Sequence, residues 1–477
     1  MKLKKKKKKL LATVASHNAW DFERLAEEWS AHRAQALRTE YNQSLAATLE
    51  LSPASPTFRK LGPEARDLLG VAAFFPQGVD EQNLDWLFPT IPDRRNIFDK
   101  FCVLSLTYRS NGFVTALAPV RDYFRPQDPQ SSPLLCATRD RYFNRLSVDV
   151  GPMLPGFSEA RWIVSEDVNV EHLLDVFTSI NKESDYVWNR VYHFMKHMYW
   201  HRPRQIVLGQ KIETLPDGHP SKLYCLSELS RLLQTVGSRE EAKRLFTTVL
   251  KLQRERGDDF LVAETLRFLS ETNRTLGLCG EGIEQAKEAL EIVERYGNDR
   301  DKARCLLDLA RLFFDDEQLD EAEDAASRAI GLLPEKGQEF LVCQSHQILG
   351  KVNYFKGEKE KAIHHFDIAL AIASSFKWPD ELFAVHYALA LLFFEGDGPE
   401  NGNTHFEQAK SHLGDNAHNR GIVMMVQAQI WLQQGRLEDA RSEVWGALEI
   451  LEKLGNTVLV ERCRELLRQI KTPMSSR

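Results

Sequence analysis

Between Lys222 and Leu467, apolar residues recur three and four positions apart in long runs broken by short polar or glycine-bearing stretches. That period belongs to amphipathic helices, each with one buried stripe. A longer period lies on top of it. A small residue opens every second helix at Ala242, Gly282, Ala322, Ala362, Gly402 and Ala440, in steps of 40, 40, 40, 40 and 38 residues. Twelve residues before each sits another small one (Ser230, Ser270, Ala310, Gly350, Ala390, Ala428). Five before each sits a turn former or polar residue (Gly237, Gly277, Glu317, Gly357, Asp397, Gly435). Two helices cross closely only where side chains are small on both partners, and the turn between them must tolerate glycine. The pattern therefore predicts stacked helical hairpins over 221–470, a mainly α protein with an α-α superhelix. Bulky residues such as Leu229, Phe246, Leu309, Phe313, Leu389 and Phe406 fill the gaps between units as core. Gly402 and the loop "EGDGPENGN" depart from the repeat and mark the fifth hairpin as its weak point.

The first half has a different texture. Pro63 is placed to open a helix that "FFPQGVD" ends, and Asp93 to Cys102 reads as another. Next, "LSLTY" and "FVTAL" alternate across "RSNG", the signature of a hairpin. Three helices and a small β-ribbon make a winged helix over 59–127. A helical segment precedes it at 17–58, and an irregular helical connector follows at 128–220. In that connector "RWIVSEDVNVEHLLDVF", from Arg161, starts a helix with Ser165 as its cap. The ends, 1–16 and 471–477, read as tails.

Charge changes the picture only at one end. The chain of 477 residues has 62 Lys and Arg against 68 Asp and Glu, a net charge of −6. Lys2 and Lys4 to Lys9 supply seven positive charges, so the body is strongly acidic and poorly suited to general nucleic-acid binding. The lysine run reads first as a solvated tail or a start lying inside a once longer protein. A nuclear address, an anionic membrane contact and an RNA hook are the alternatives. The apolar stretch Leu10 to Ala15 is shorter than the roughly 7 to 15 residues of a signal-peptide core, and no run approaches the ~18–20 of a membrane span. Seven scattered cysteines suit free, mostly buried thiols in a reducing compartment. A cytoplasmic protein is expected, with the nucleus open through the lysines.

The small residues at these intervals, with Pro334 closing the third unit, resemble the tetratricopeptide repeat. A 40-residue step exceeds that family's usual length, so either each helix runs about one turn longer or the joining loops grow. The longer form resembles arrays of kinesin light chains and signalling ATPases. Trp20 to Pro126 is similar to the winged-helix region, and the helical segment before it, of fungal signal-transduction (STAND) ATPases of the NB-ARC and NACHT type. That resemblance implies a nucleotide held upstream of the winged helix. Yet no G-x-x-x-x-G-K-[ST] loop occurs in the chain, and the family's Met-His-Asp sensing position reads Ala116-Leu117-Ala118. No cofactor and no catalytic residue is therefore expected.

Other candidate chemistry is thin. Arg94, Arg95 and Lys100 on the third helix of the winged helix could face DNA, giving the alternative of a nucleic-acid-binding regulator, but Asp93 and Asp99 oppose it. His364 and His365 point about 100° apart and cannot share a metal easily, and His197 and His201 lack a third ligand, so no metal is expected. Surface for binding remains. Counting back from the aligned small residues, the inner face of the first helices offers Ser227, Arg231 and Gln234, then Arg267, Glu271 and Arg274, then Leu307, Arg311 and Phe314. Gln347, Lys351 and Tyr354 follow, then Tyr387, Leu391 and Phe394. The face is cationic early and aromatic late, suited to an acidic, partly apolar segment. The expected partner-binding residues are Arg231, Arg267, Arg274, Arg311, Lys351, Tyr354, Tyr387 and Phe394. The expected function is a non-catalytic protein-interaction scaffold or sensor.

Overall fold

A computed structural model describes residues 56–147, 161–201, 204, 206–333, 337–394, 399–413, 417–453 and 457–471. The lysine run, Asp397, Pro334 and the segment before Pro56 lie outside them. The chain divides into two compact units, which part at about residue 208.

The first unit is built on α1 (Glu64–Phe74), whose apolar content is so high that nearly the whole helix is buried. Helix α1 packs against α3 (Ala118–Phe124) and against a three-stranded antiparallel sheet in the order β1-β3-β2, while α2 (Arg94–Val103) packs against β2. Here β1 is Val79–Asp80, β2 Thr107–Ser110 and β3 Phe113–Ala116. Ser110 pairs Phe113, so the hairpin turn is only Asn111-Gly112, both left-handed at φ 52° and 82°. This is the two-residue turn that an Asn-Gly pair favours. The turn is shorter than "RSNG", and the strand starts later than Leu104. Leu104 N–H and Leu106 N–H instead donate to Lys100 O and Phe101 O, closing the end of α2.

Further along lie α4 (Pro133–Leu146), α5 (Arg161–Ile180) and α6 (Asp185–His201). Ser165 does not cap α5. It lies inside the helix, where its hydroxyl donates to Trp162 O at 2.9 Å. One buried polar knot holds α5 to the β1 region. Asn169 Nδ2 donates to Gly78 O (2.9 Å) and to Glu166 Oε2 (2.8 Å), Asn169 Oδ1 accepts from Gln77 N–H (3.1 Å), and Asn83 Nδ2 donates to Glu166 Oε1 (3.1 Å). Burial raises the Glu166 pKa, against these donors.

The second unit is the array. Its hairpins pair α7 (Lys222–Thr235) with α8 (Arg239–Arg256), α9 (Asp259–Thr275) with α10 (Cys279–Tyr296), and α11 (Asp299–Asp315) with α12 (Leu319–Leu332). They continue with α13 (Glu339–Phe355) and α14 (Lys359–Phe376), α15 (Pro379–Phe394) and α16 (Pro399–Ser411), and α17 (Ala417–Gln433) and α18 (Leu437–Lys453). A last helix, α19 (Thr457–Lys471), follows. The extra length of the repeat goes into the helices, not the joints: α9 and α10 have 17 and 18 residues.

The reason for the small residues is visible. Ala242, Ala322, Ala362 and Ala440 are fully buried, and Gly282 and Gly402 are buried with them. At Gly282 a Cβ would stand 2.6 Å from Leu312 Cδ2 and 3.0 Å from Ser270 O, so the neighbouring helices leave no room for one. The turn position is left-handed at Gly237, Gly277, Gly357 and Gly435, and Glu317 takes the same conformation at φ 62° despite its side chain. The seven cysteines are free thiols, four of them buried. No helix among the described residues is long and apolar enough to cross a membrane.

Candidate functional site: the inner face of the array

The first helices α7, α9, α11, α13 and α15 carry the candidate residues at equivalent turns, because the repeat places i and i+40 on neighbouring helices at the same height. Nearly all of these side chains are half-buried, while Leu307 and Gln347 are buried outright. Reading across the five helices, one row is Arg231, Glu271, Arg311, Lys351, Leu391 and the next is Gln234, Arg274, Phe314, Tyr354, Phe394.

The arginines are not free charges. Arg267 pairs with Asp308 (2.7 Å), whose other oxygen accepts from Arg311 (3.4 Å). Arg311 also donates to Gln344 Oε1 (2.8 Å), Gln344 donates to Glu381 Oε1 (3.0 Å), and Gln347 donates to the other Glu381 oxygen. Arg274 grips Glu271 through two bonds of 2.8 and 2.7 Å and reaches Asp315 on the next helix. Arg231 pairs with Glu228 (3.0 Å) and lies 4.8 Å over the Phe268 ring. A chain of charge-assisted bonds thus ties α9, α11, α13 and α15 together.

Apart from Glu271, the carboxylates among these arginines are not marked by the repeat count. Asp308, Glu381, Glu228 and Asp315 fall outside the three counted positions, although Asp308 and Glu228 sit three residues before their arginines, the spacing of helical ion pairs. Burial would raise the Glu271 pKa, but Arg274 and then Arg311 outweigh it and hold the carboxyl below its ordinary value. Lys351 differs. It makes no ion pair among the described residues, and burial, then Arg274 and Arg311, lower its pKa against Asp315 and Glu381. Tyr387 stacks on Phe383 at 6.0 Å, and Phe394 packs edge-on to Phe406 at 6.4 Å.

Cutting the centre of the chain tests its worth. Asp308→Ala strands two half-buried guanidiniums and should cost about 1–2 kcal/mol, read as a lower urea midpoint at unchanged slope.

A second arrangement repeats with the same period. His346 Nδ1 meets His365 Nδ1 at 3.0 Å between α13 and α14, and His386 Nδ1 meets His405 Nδ1 at 3.0 Å between α15 and α16. Of these four histidines only His365 stands out in the sequence, as the neighbour of His364. The 40-residue recurrence of both members, 346 to 386 and 365 to 405, was the available signal. His364 is exposed, and His197 is buried on α6. In the first unit, Arg94 and Arg95 both bond Asp85, at 2.7 and 2.8 Å, so this pair meets a carboxylate before any phosphate. Among the described residues no three His, Cys, Asp or Glu side chains gather as a metal site.

Residues 261–335 match the tetratricopeptide repeat family. These residues cover α9 to α12, and the tetratricopeptide-type solenoid extends on both sides of them. Among solved structures, the chain is similar to a Signal Transduction ATPase with Numerous Domains (STAND) protein with a tetratricopeptide repeat sensor from Pyrococcus horikoshii. That match has 15% identity, covers 93% of this chain and 70% of that one, and has a TM-score of 0.47. The quorum sensor NprR from B. thuringiensis matches at 12% identity over 70% of this chain and 97% of that one, TM-score 0.43. BtubC from P. vanneervenii matches at 19% identity over 50% and 92%, TM-score 0.33. A search of the curated proteins finds no match to the sequence.

Proposed function

We propose that the chain is a non-catalytic protein-interaction scaffold, in which the inner face of the tetratricopeptide-type array receives a segment of a partner protein. The observation that carries this is the continuous face of half-buried polar and aromatic side chains repeated on five successive first helices. Half-burial at every rung is what a concave surface built for a ligand shows, since each side chain is held by its neighbours yet keeps one side open. We further propose that the 59–127 region is a winged helix, and that the protein acts as the sensor half of a STAND-type system whose nucleotide chemistry is done elsewhere. The absence of a phosphate-loop motif from the sequence and the apolar Leu117 at the sensing position support that division.

The test is capture by the full-length chain, compared with a variant carrying Leu391→Glu and Tyr354→Ser, which change the face without touching the ion-pair chain. Partners retained by the native protein and lost by the variant are the expected result. An unchanged set of partners, or ATP turnover by the purified chain, overturns the reading.

A further inference from the structure

We propose that the segment received by this face is acidic and partly apolar, with one carboxylate docking on Lys351 beside Arg311 and neighbouring apolar side chains lying on the row Phe314, Tyr354 and Phe394. The inference rests on the function proposed above and narrows it to one chemical class.

The argument is the order of charges along the rows. In the sequence Arg231, Glu271, Arg311, Lys351, Leu391, the cation at 231 and the cation at 311 flank Glu271, but Lys351 stands between Arg311 and Leu391 with no carboxylate beside it in the row. Four of the five basic side chains on the face are already committed: Arg231 to Glu228, Arg267 to Asp308, Arg274 to Glu271 and Asp315, and Arg311 to Asp308 and Gln344. Lys351 alone among these five has no ion pair among the described residues. Asp315 and Glu381 attract it without forming an ion pair with it, Asp315 being held by Arg274 and Glu381 by the amides of Gln344 and Gln347. Burying an ammonium next to two guanidiniums is costly, and an incoming carboxylate removes that cost. Burial first, then Arg274 and Arg311, lower the proton affinity of Lys351.

The adjoining row supplies the second half of the specificity. Past Arg274 it turns wholly aromatic, and Phe314 meets the exposed Phe355 ring edge-on at 5.3 Å, widening the apolar shelf across α11 and α13. Beyond Lys351 its own row becomes Leu391, so an acidic residue at Lys351 would have apolar contacts on two sides.

The experiment is fluorescence anisotropy with the full chain and two labelled probes, an acetylated peptide of alternating Asp and Leu and its counterpart of alternating Lys and Leu. The acidic probe should bind and the lysine probe should not. Lys351→Met should weaken the acidic probe on the order of tenfold, Lys351→Arg should restore it, and added salt should weaken the native complex. Equal binding of both probes, an acidic complex indifferent to Lys351→Met, no binding of the acidic probe, or preferential binding of a single-stranded oligonucleotide would each overturn the proposal. If the lysine probe binds instead and Tyr354→Ser weakens it, the face remains a docking surface and only its assigned chemistry falls.

Discussion

Gly78→Ala should destabilise the first unit by about 3–5 kcal/mol, the largest effect expected of an added methyl among the described glycines. Gly78 has φ 87°, a left-handed conformation that alanine adopts only with strain. The added Cβ would also lie 2.2 Å from Val114 O and 2.6 Å from Thr115 Cα, and both are backbone atoms of β3 that cannot step aside without breaking the β1–β3 pairing. The carbonyl of Gly78 further accepts from Asn169, so displacement there opens the knot to α5 as well. Gly112→Ala is the control. That glycine has φ 82° but nothing within 4 Å of the Cβ position, and its replacement should cost about 1 kcal/mol from backbone strain alone. Hydrogen exchange checks both. Amides of Glu64–Phe74 and Phe113–Ala116 should lose protection in Gly78→Ala while those of α9 to α12 do not. Native-like protection of β3 in that variant would disprove the packing argument.

The array should lose on the order of 2 kcal/mol of stability between pH 7 and pH 5 through its two histidine pairs. Burial, then the opposing His365 and His364, lowers the His346 pKa to about 4, and burial, then His405 and His412, does the same to His386. His365 and His405 are lowered as well, by burial, against the attraction of Glu323 and Asp367 respectively. Lys361, facing His365, adds to the lowering. In the unfolded chain these imidazoles take up protons near their ordinary value of about 6.5, whereas in the fold they resist down to about 4 for His346 and His386. Above pH 6.5 neither state is protonated and nothing is lost. Below it the unfolded chain binds more protons, so stability falls as pH falls through that window. Each pair is also a neutral hydrogen bond that needs one ring nitrogen bare, and a second proton would turn it into repulsion across 3.0 Å. Urea unfolding from pH 7.5 to 4.5 should show the slope, and His346→Gln with His386→Gln should flatten it. A slope that survives both substitutions places the proton uptake elsewhere.

The architecture of the array was legible because its cause is steric and periodic. Ala242 or Gly282 must be small wherever two helices touch, and the requirement returns every 40 residues whatever lies between. The turn at Glu317 shows the strength of that context. A residue without glycine's freedom is forced into the left-handed conformation its repeat position demands. Ser165 was misread because a cap is fixed by where the helix begins, and the apolar pattern around Trp162 did not mark that start sharply. The positions of the face residues follow from the repeat count, but their ion pairing does not. Pairing depends on residues from the next helix, and neither the Arg274 to Asp315 contact nor the Gln344 to Glu381 contact leaves a trace in local spacing.

The bonded chain from Arg267 through Asp308, Arg311 and Gln344 to Glu381 makes these hairpins non-interchangeable. The bonds run from one first helix to the next, so a duplication, deletion or shuffle within α9 to α16 would break them even where the small residues still let the helices cross. The array therefore has a fixed reading direction, set by electrostatics in addition to packing.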